Sequence, residues 1–256
     1  MSPAQPAQVY FILGTPGSGR RAAVVDLVEN GLGPDDPVLV LVAEGEPADP
    51  ALEQLAARPR TEVRRWRWES PELPDQALLP GSYVFFLAAA TVDPLVQIEA
   101  LKPWLARHPA GLARIISFID CAIAEKTPPL RPWYDALVHF SDVVFLTRRE
   151  GVANKWLSDF LGRYEEQFIP SHFILLKKGG VPNPALVLIP EIRRLSQYFE
   201  EEEPLDLAIE ADGEEAGADV EPDEEAIQPE PYFVRDRRGR REKELPDIRH
   251  YLPAAG

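Results

Sequence analysis

The sequence has one cysteine, Cys121, and four histidines scattered over 256 residues. A single cysteine cannot form an internal disulfide, and this spacing offers no zinc-binding cluster. No run of 18 or more apolar residues is present, which excludes a membrane-spanning helix of the usual kind. Residues 1–6 lack the positive charge and the apolar core of a secretory signal. We therefore expect a cytoplasmic protein with no resident metal.

Basic residues are absent from residues 200–230, a stretch that contains 15 aspartates and glutamates. The chain has 42 acids in total, so 27 remain elsewhere, equal to its 27 lysines and arginines. One segment therefore carries the whole net charge of −15. A neutral body with one acidic segment argues against general nucleic-acid binding, and no membrane association is expected.

Composition divides the chain into three parts. Residues 1–199 are predicted to form the folded domain, and 200–230 an acidic linker too poor in apolar residues to order. Residues 231–256 form a basic tail, with Arg235, Arg237, Arg238, Arg240, Arg241, Lys243 and Arg249. We expect the linker or the tail to contact a protein partner.

Short apolar runs alternate with helical patterns through the first part. The predicted strands are 8–13, 37–42, 83–87, 115–119 and 143–146, and the predicted helices are 20–30, 93–107, 122–140 and 152–163. Strands that are apolar on both faces indicate a mostly parallel sheet covered on both sides. The fold class is therefore α/β, a three-layer P-loop NTPase-like sandwich. Strands at 173–176 and 186–189 and a helix at 190–199 are predicted to complete it.

Residues 62–68 alternate as a strand does and carry Trp66 and Trp68 between arginines. Such aromatic residues can stack on nucleic-acid bases. The favoured interpretation is a strand whose tryptophans cover the edge of the sheet while its arginines face water.

A glycine-rich turn, Gly14-Thr15-Pro16-Gly17-Ser18-Gly19-Arg20-Arg21, follows the first strand and opens a helix. Its glycine spacing matches the phosphate-binding pattern G-x-x-x-x-G-K-[S/T]. Backbone N–H groups at such a helix start favour a phosphate. Candidate phosphate-binding residues are Gly14, Gly17, Ser18, Gly19, Arg20 and Arg21. The alternative is a tight turn without a ligand.

The two positions after Gly19 depart from that pattern. Arg20 keeps the positive charge of the usual lysine, so it is predicted to pair with a phosphate. Arg21 supplies no hydroxyl for magnesium and would repel the ion, which makes magnesium doubtful and predicts weakened phosphoryl transfer. The glycines also fit, less well, a dinucleotide-binding pattern with Glu44 on the ribose.

The order of these segments resembles the CobW-type P-loop GTPases, with their HypB and UreG relatives, from the glycine-rich turn to about residue 163. The resemblance lies in residues 91–96, 116–120 and 141–150, the last of which is similar to the guanine-recognition segment. It implies GTP or another nucleotide as ligand, with Thr147, Arg148 and Glu150 as base-recognition candidates. Leu87 stands where the family has a catalytic glutamate, and the family's cysteine metal motif is absent.

Asp120 ends a predicted central strand, where ligands bind in open α/β sheets. It is a candidate catalytic residue that orients water or metal; equally, it caps the following helix. Asp93, followed by Pro94, is predicted to be a helix cap. The basic loop at 177–184 either closes over a phosphate or is a solvated turn.

Three functions fit these observations. The leading one is a degenerate CobW-like nucleotide-binding protein with weakened or lost hydrolysis that acts on a protein partner. The second is an active NTPase or nucleotide kinase that uses Asp120 and Glu44. The third is a non-enzymatic interaction module that uses the fold as a scaffold.

Overall fold

The structure is a computed structural model that describes residues 5–47, 49–177, 180–200 and 229–252. These residues fall into two compact units, one within Met1–Leu195 and Glu244–Gly256 and the other within Ser196–Lys243. The predicted acidic linker lies almost wholly outside the described residues. The predicted boundaries at 199 and 230 stay predictions.

Strands and helices alternate along the first unit. Its strands are β1 (Ala7–Gly14), β2 (Val38–Ala43), β3 (Thr61–Trp66), β4 (Tyr83–Leu87), β5 (Ala110–Asp120), β6 (Val143–Thr147) and β7 (His172–Leu175). Its α-helices are α1 (Arg20–Gly31), α2 (Pro50–Leu55), α3 (Pro94–Arg107), α4 (Cys121–Lys126), α5 (Arg131–Phe140), α6 (Asn154–Glu165) and α7 (Pro184–Val187). Two 3-10 turns lie at Pro128–Leu130 and Ile248–His250.

The seven strands form one sheet in the order β3-β2-β4-β1-β5-β6-β7, and each neighbouring pair is parallel. The glycine-rich turn follows β1, the central strand, which lies between β4 and β5. In this register Ile12 lies beside Leu87 on one side and Ile116 on the other. The predicted parallel α/β sandwich with a phosphate-loop arrangement is confirmed.

Helices cover both faces of this sheet. On one face, the helices α1 and α2 and the turn α7 contribute Val24, Leu52 and Val187 to a buried cluster with strand residues such as Phe85. Phe86, the next residue, points to the opposite face and contacts Trp104 of α3. Helices α5 and α6 lie on that second face, as the contact of Ser141 with Ser117 and of Tyr164 with Phe173 shows. The core is therefore two apolar layers with the sheet between them.

Strand β3 forms one edge of the sheet, as residues 62–68 predicted. Trp66 is buried, and its indole Nε1 donates to the Leu87 carbonyl at 3.1 Å. It also contacts Phe86 and Trp68 edge-on. This supports the structural interpretation for Trp66, because a base cannot stack on a buried ring; Trp68 is partly exposed.

Three predicted elements differ in the structure. The helix expected at 122–140 is broken by the Pro128-Pro129 turn into α4 and α5. The strand expected at 186–189 is wrong: Pro184 begins the one-turn helix α7 there. The helix expected at 190–199 is also wrong, because the backbone N–H groups of Arg193 and Arg194 bind the Asp142 side chain instead.

The second unit is small and aromatic. Tyr198 contacts Phe233 edge-on, and the Arg241 guanidinium lies over the same Phe233 ring. Asp236 orders a tight basic turn by accepting from the backbone N–H groups of Arg238 and Arg240. Across the described parts of both units, no helix is long and apolar enough to span a membrane.

Candidate functional site

The glycine-rich turn occupies the carboxyl edge of the sheet, between β1 and α1. A Cβ on Gly14 would lie 2.9 Å from Phe118 Cβ, so only glycine fits that position. Gly19 is the N-cap of α1 in a left-handed conformation, φ 88°, and no side chain caps the helix. The turn is braced internally, since the Ser18 hydroxyl donates to the Thr15 carbonyl at 2.8 Å. The uncapped helix start is an environment that favours an anion.

Arg20 points into the protein. Its guanidinium donates to the Ala88 carbonyl at 2.5 Å and forms an ion pair with Glu46. Its side chain is only 2% exposed. Burial lowers the pKa of Arg20, and the nearby Glu46 opposes that effect. The structure thus uses the charge of Arg20 inside the fold, and its predicted contact with a phosphate stays a prediction.

Arg21 lies beside the same carboxylate. Its Nε is 3.9 Å from Glu46 and 3.4 Å from Asp49, and its Nη1 donates to the Pro47 carbonyl. One carboxylate therefore serves two arginines next to the loop. The two arginine side chains therefore occupy the space beside the loop that follows β2.

Asp120 is 1% exposed at the end of β5 and caps α4, accepting from the Ile123 backbone N–H at 3.1 Å. Its second oxygen has no hydrogen bond with any described residue and lies 3.2 Å from the Arg148 Nε. Burial raises the pKa of this carboxyl, and the Ile123 N–H and Arg148 partly offset the rise. The capping interpretation of Asp120 is what these contacts describe; a catalytic role stays a prediction. Asp93 caps α3 as expected.

Residues 147–150 follow β6 at the same edge. The buried Thr147 hydroxyl donates to the Ile119 carbonyl at 3.1 Å, which fixes the backbone there. Arg148 has a left-handed backbone, φ 48°, and its side chain is 60% exposed. Its Nη1 donates to the Gly17 carbonyl at 3.4 Å. Arg148 thus joins Asp120 to the glycine-rich turn, a contact that spans 131 positions in sequence.

A cleft of about 530 Å³ opens between these segments. Its lining comprises Ser18, Gly19, Thr147, Arg148, Arg149, Glu150, Leu176 and Lys177. Two candidates from the glycine-rich turn and all three base-recognition candidates therefore share one cavity. A volume of this size accommodates a small-molecule ligand.

Some lining residues were not among the sequence candidates. Arg149 donates to the Leu176 carbonyl at 3.3 Å, and Lys177 follows β7, so both add positive charge to the cleft. The basic composition of residues 177–184 was the only sequence signal for Lys177. Glu44, in contrast, points to the edge strand and pairs with Arg67 at 2.7 Å. The carboxylate that meets the loop's arginines is Glu46.

Arginines contact the two carboxylates that could hold a magnesium ion near the turn, Glu46 and Asp120. Arg21 takes the place of the hydroxyl ligand, and Glu46 is paired with two guanidinium groups. The Asp120 carboxylate is held by Arg148. Among the described residues, no three His, Cys, Asp or Glu side chains lie together as metal ligands would.

Known structures offer distant similarities. A Zn(II)-bound YjiA GTPase from E. coli is 12% identical with a TM-score of 0.41, and a Zn(II)-bound triple mutant of YjiA GTPase is 14% identical with a TM-score of 0.37. Each match covers 72% of this chain, which spans only 61% of the length of those structures. No family model matches the sequence, nor does any curated protein. The fold described above rests on its own strand order and turn geometry.

Proposed function

We propose that the chain binds a nucleotide of the GTP type in the cleft beside the glycine-rich turn. The backbone N–H groups of Gly17, Ser18, Gly19 and Arg21 hold the phosphates at the start of α1. The observation that carries this proposal is the single cleft that unites Ser18 and Gly19 with residues 147–150. A scaffold without a ligand does not need that convergence.

The charges of the cleft suit a polyphosphate. Arg148, Arg149 and Lys177 line it, against one lining carboxylate among the described residues, Glu150. Arginine forks bind phosphate oxygens in pairs, so the exposed Arg148 is the best placed cation. Glu150 offers an acceptor for the donor edge of a guanine. Thr147 is buried and holds the segment in place rather than contacting the base.

Hydrolysis in this proposal is weak or lost. Phosphoryl transfer relies on a metal ion that bridges the β- and γ-phosphates and neutralises the charge of the transition state. The Arg20–Glu46–Arg21 cluster engages the Glu46 carboxylate beside the turn, so this carboxylate is not free to bind that ion. Nucleotide binding then serves recognition of a protein partner, which the acidic linker or the basic tail contacts.

Calorimetric titration of the full chain with GTP, GDP and ATP, with and without magnesium, tests this function. We expect binding that does not depend on magnesium and that Arg148→Ala weakens about tenfold or more, the loss typical of one charge-assisted contact. Arg67→Ala changes an exposed arginine just after β3; it is the matched control and should bind as the wild type does. Rapid magnesium-dependent hydrolysis, or no binding at millimolar nucleotide, overturns the proposal.

A further inference from the structure

A second cavity, of about 560 Å³, lies over the edge strand β7. The covering layer is thin there, because α7 is a single turn and the chain after it is irregular. Residues of β7 form the floor, and residues 180–193 form the opposite wall. The space stays open because residues 190–199 form no helix that would cover β7.

The most buried polar group of this cavity is Arg114 from β5. Its side chain is 3% exposed, and its Nε donates to the Ile189 carbonyl at 2.5 Å. Its Nη2 lies 3.4 Å from Glu191, and among the described residues none accepts a hydrogen bond from its Nη1. Burial lowers the pKa of this guanidinium, more than the nearby carboxylates Asp142 and Glu191 raise it. The charge of Arg114 is only partly compensated.

Positive charge exceeds negative charge along the lining. Arg114, Arg193 and Lys177 face one carboxylate among the described lining residues, Glu191. That carboxylate is 47% exposed and is shared, because it also binds Arg193 at 2.7 Å.

Two further carboxylates lie close to the cavity, and both are engaged elsewhere. Asp142 is buried against Arg194 and three backbone N–H groups. Asp26 accepts from the Val181 backbone N–H. The Asp142 charge stabilises Arg114 from outside the lining, and neither carboxylate is among the described residues that line the cavity.

Apart from His172 and Asn183, the rest of the described lining is apolar. Val143, Ile174, Val181, Pro182, Leu186 and Val187 supply aliphatic surface around the charged end. Leu186 is 54% exposed, one of several large aliphatic side chains of this unit that are open to solvent. An aliphatic wall with a buried cation at one end is the environment of a ligand that is itself amphipathic.

We propose that this cavity binds a small aliphatic monocarboxylate, with its carboxylate on Arg114 and Arg193 and its chain against the aliphatic wall. The carboxylate supplies the acceptor that Nη1 of Arg114 lacks, and bidentate pairing is the geometry an arginine fork prefers. The chain buries apolar surface that is now exposed at Leu186. The site is separate from the nucleotide cleft, and Lys177 is the one described residue that lines both.

Titration of the full chain with octanoate, and with 1-octanol as its uncharged counterpart, tests the proposal. We expect saturable one-to-one binding of octanoate at or below about 1 mM. Octanol should bind the wild type about tenfold or more weakly than octanoate does. Octanoate should bind the variant Arg114→Gln more weakly by the same factor, because each change removes a charged hydrogen bond. Octanol that binds as tightly as octanoate, or no saturable octanoate binding, overturns the proposal.

If circular dichroism shows that Arg114→Gln does not fold, two further variants test the proposal. Leu186→Glu places a like charge on the exposed wall and should abolish octanoate binding. Leu79→Glu changes an equally exposed leucine outside the cavity, 62% exposed, and should leave binding unchanged. Equal effects of the two variants contradict the assignment. So does competition between octanoate and GTP, which would place the carboxylate in the other cleft.

Discussion

The guanidinium of Arg20 and the carboxylate of Glu46 form an ion pair inside the protein, with side-chain exposures of 2% and 6%. Arg20 is the first residue of α1, and Glu46 lies between β2 and α2. The pair therefore ties the glycine-rich turn to the neighbouring loop. Because both charges have left water, each depends on the other for its stabilisation.

Removing the carboxylate from this pair should be costly. Glu46→Gln leaves the buried Arg20 charge without its counterion, and we expect a loss of about 3 kcal/mol in unfolding free energy. Urea unfolding followed by circular dichroism measures it. The control Glu44→Gln removes the partner of the exposed Arg67 and should cost less than about 1 kcal/mol. Equal losses in the two variants would show that the Arg20 pair is unimportant.

Gly14→Ala should destabilise the fold. The added methyl would lie 2.9 Å from Phe118 Cβ and 3.0 Å from the Phe118 carbonyl, at a φ of 145°. A clash with a strand backbone cannot relax easily, so we expect a loss of about 1–3 kcal/mol in unfolding free energy. Gly162→Ala on α6 meets nothing within 4 Å and should instead stabilise the protein, by up to about 1 kcal/mol. A neutral Gly14→Ala would contradict the tight packing of the turn.

The Asp120 carboxyl should make stability depend on pH. Burial raises its folded-state pKa above the unfolded value of about 3.9. The folded chain then holds the proton more tightly, so this group's contribution to stability falls as pH rises from the unfolded pKa through the folded one. Asp120→Asn removes the titration and retains a capping oxygen. The stability of the variant relative to the wild type should therefore rise with pH across that window.

Unfolding by urea at a series of pH values measures this difference, and a difference that is constant with pH would be evidence against a raised pKa. The same variant separates two functions. An active NTPase that uses Asp120 would lose its turnover in Asp120→Asn. A nucleotide-binding protein without hydrolysis has no turnover to lose.

Cys121 should be inert while the protein is folded. Its thiol is buried, and burial, with the neighbouring Asp120 charge, raises its pKa to about 12. At about pH 8 it is therefore protonated as well as inaccessible, and a thiolate is the reactive form. A thiol reagent such as dithiobis-nitrobenzoate should label the native protein only as fast as it unfolds, and urea-unfolded protein at once. Immediate labelling of the native chain would refute this.

The sequence predicts the sheet well because its strands are apolar at nearly every position, which only a doubly covered parallel sheet explains. It fails where local pattern and tertiary contacts compete. Residues 190–199 have a helical composition, but the buried Asp142 carboxylate takes the backbone N–H groups of Arg193 and Arg194. A bond across 51 residues leaves no local signal.

The candidate site shows the same division. Spacing alone finds the glycine-rich turn and residues 147–150, and the structure brings them to one cleft. The direction of a side chain is another matter. The position of Arg20 predicts a phosphate ligand. In the structure Arg20 forms an ion pair with Glu46, a residue that belongs to no motif.

The central place of β1 has a consequence for the order in which the chain is made. Strand β1 is synthesised before both strands that flank it, Tyr83–Leu87 and Ala110–Asp120, and Arg148 completes the turn behind it. Until Tyr83–Leu87 has been made, this apolar strand has both edges bare, and one edge stays bare until Ala110–Asp120 follows, the state most exposed to aggregation. Folding of the glycine-rich turn has to wait for residues that leave the ribosome more than a hundred positions later.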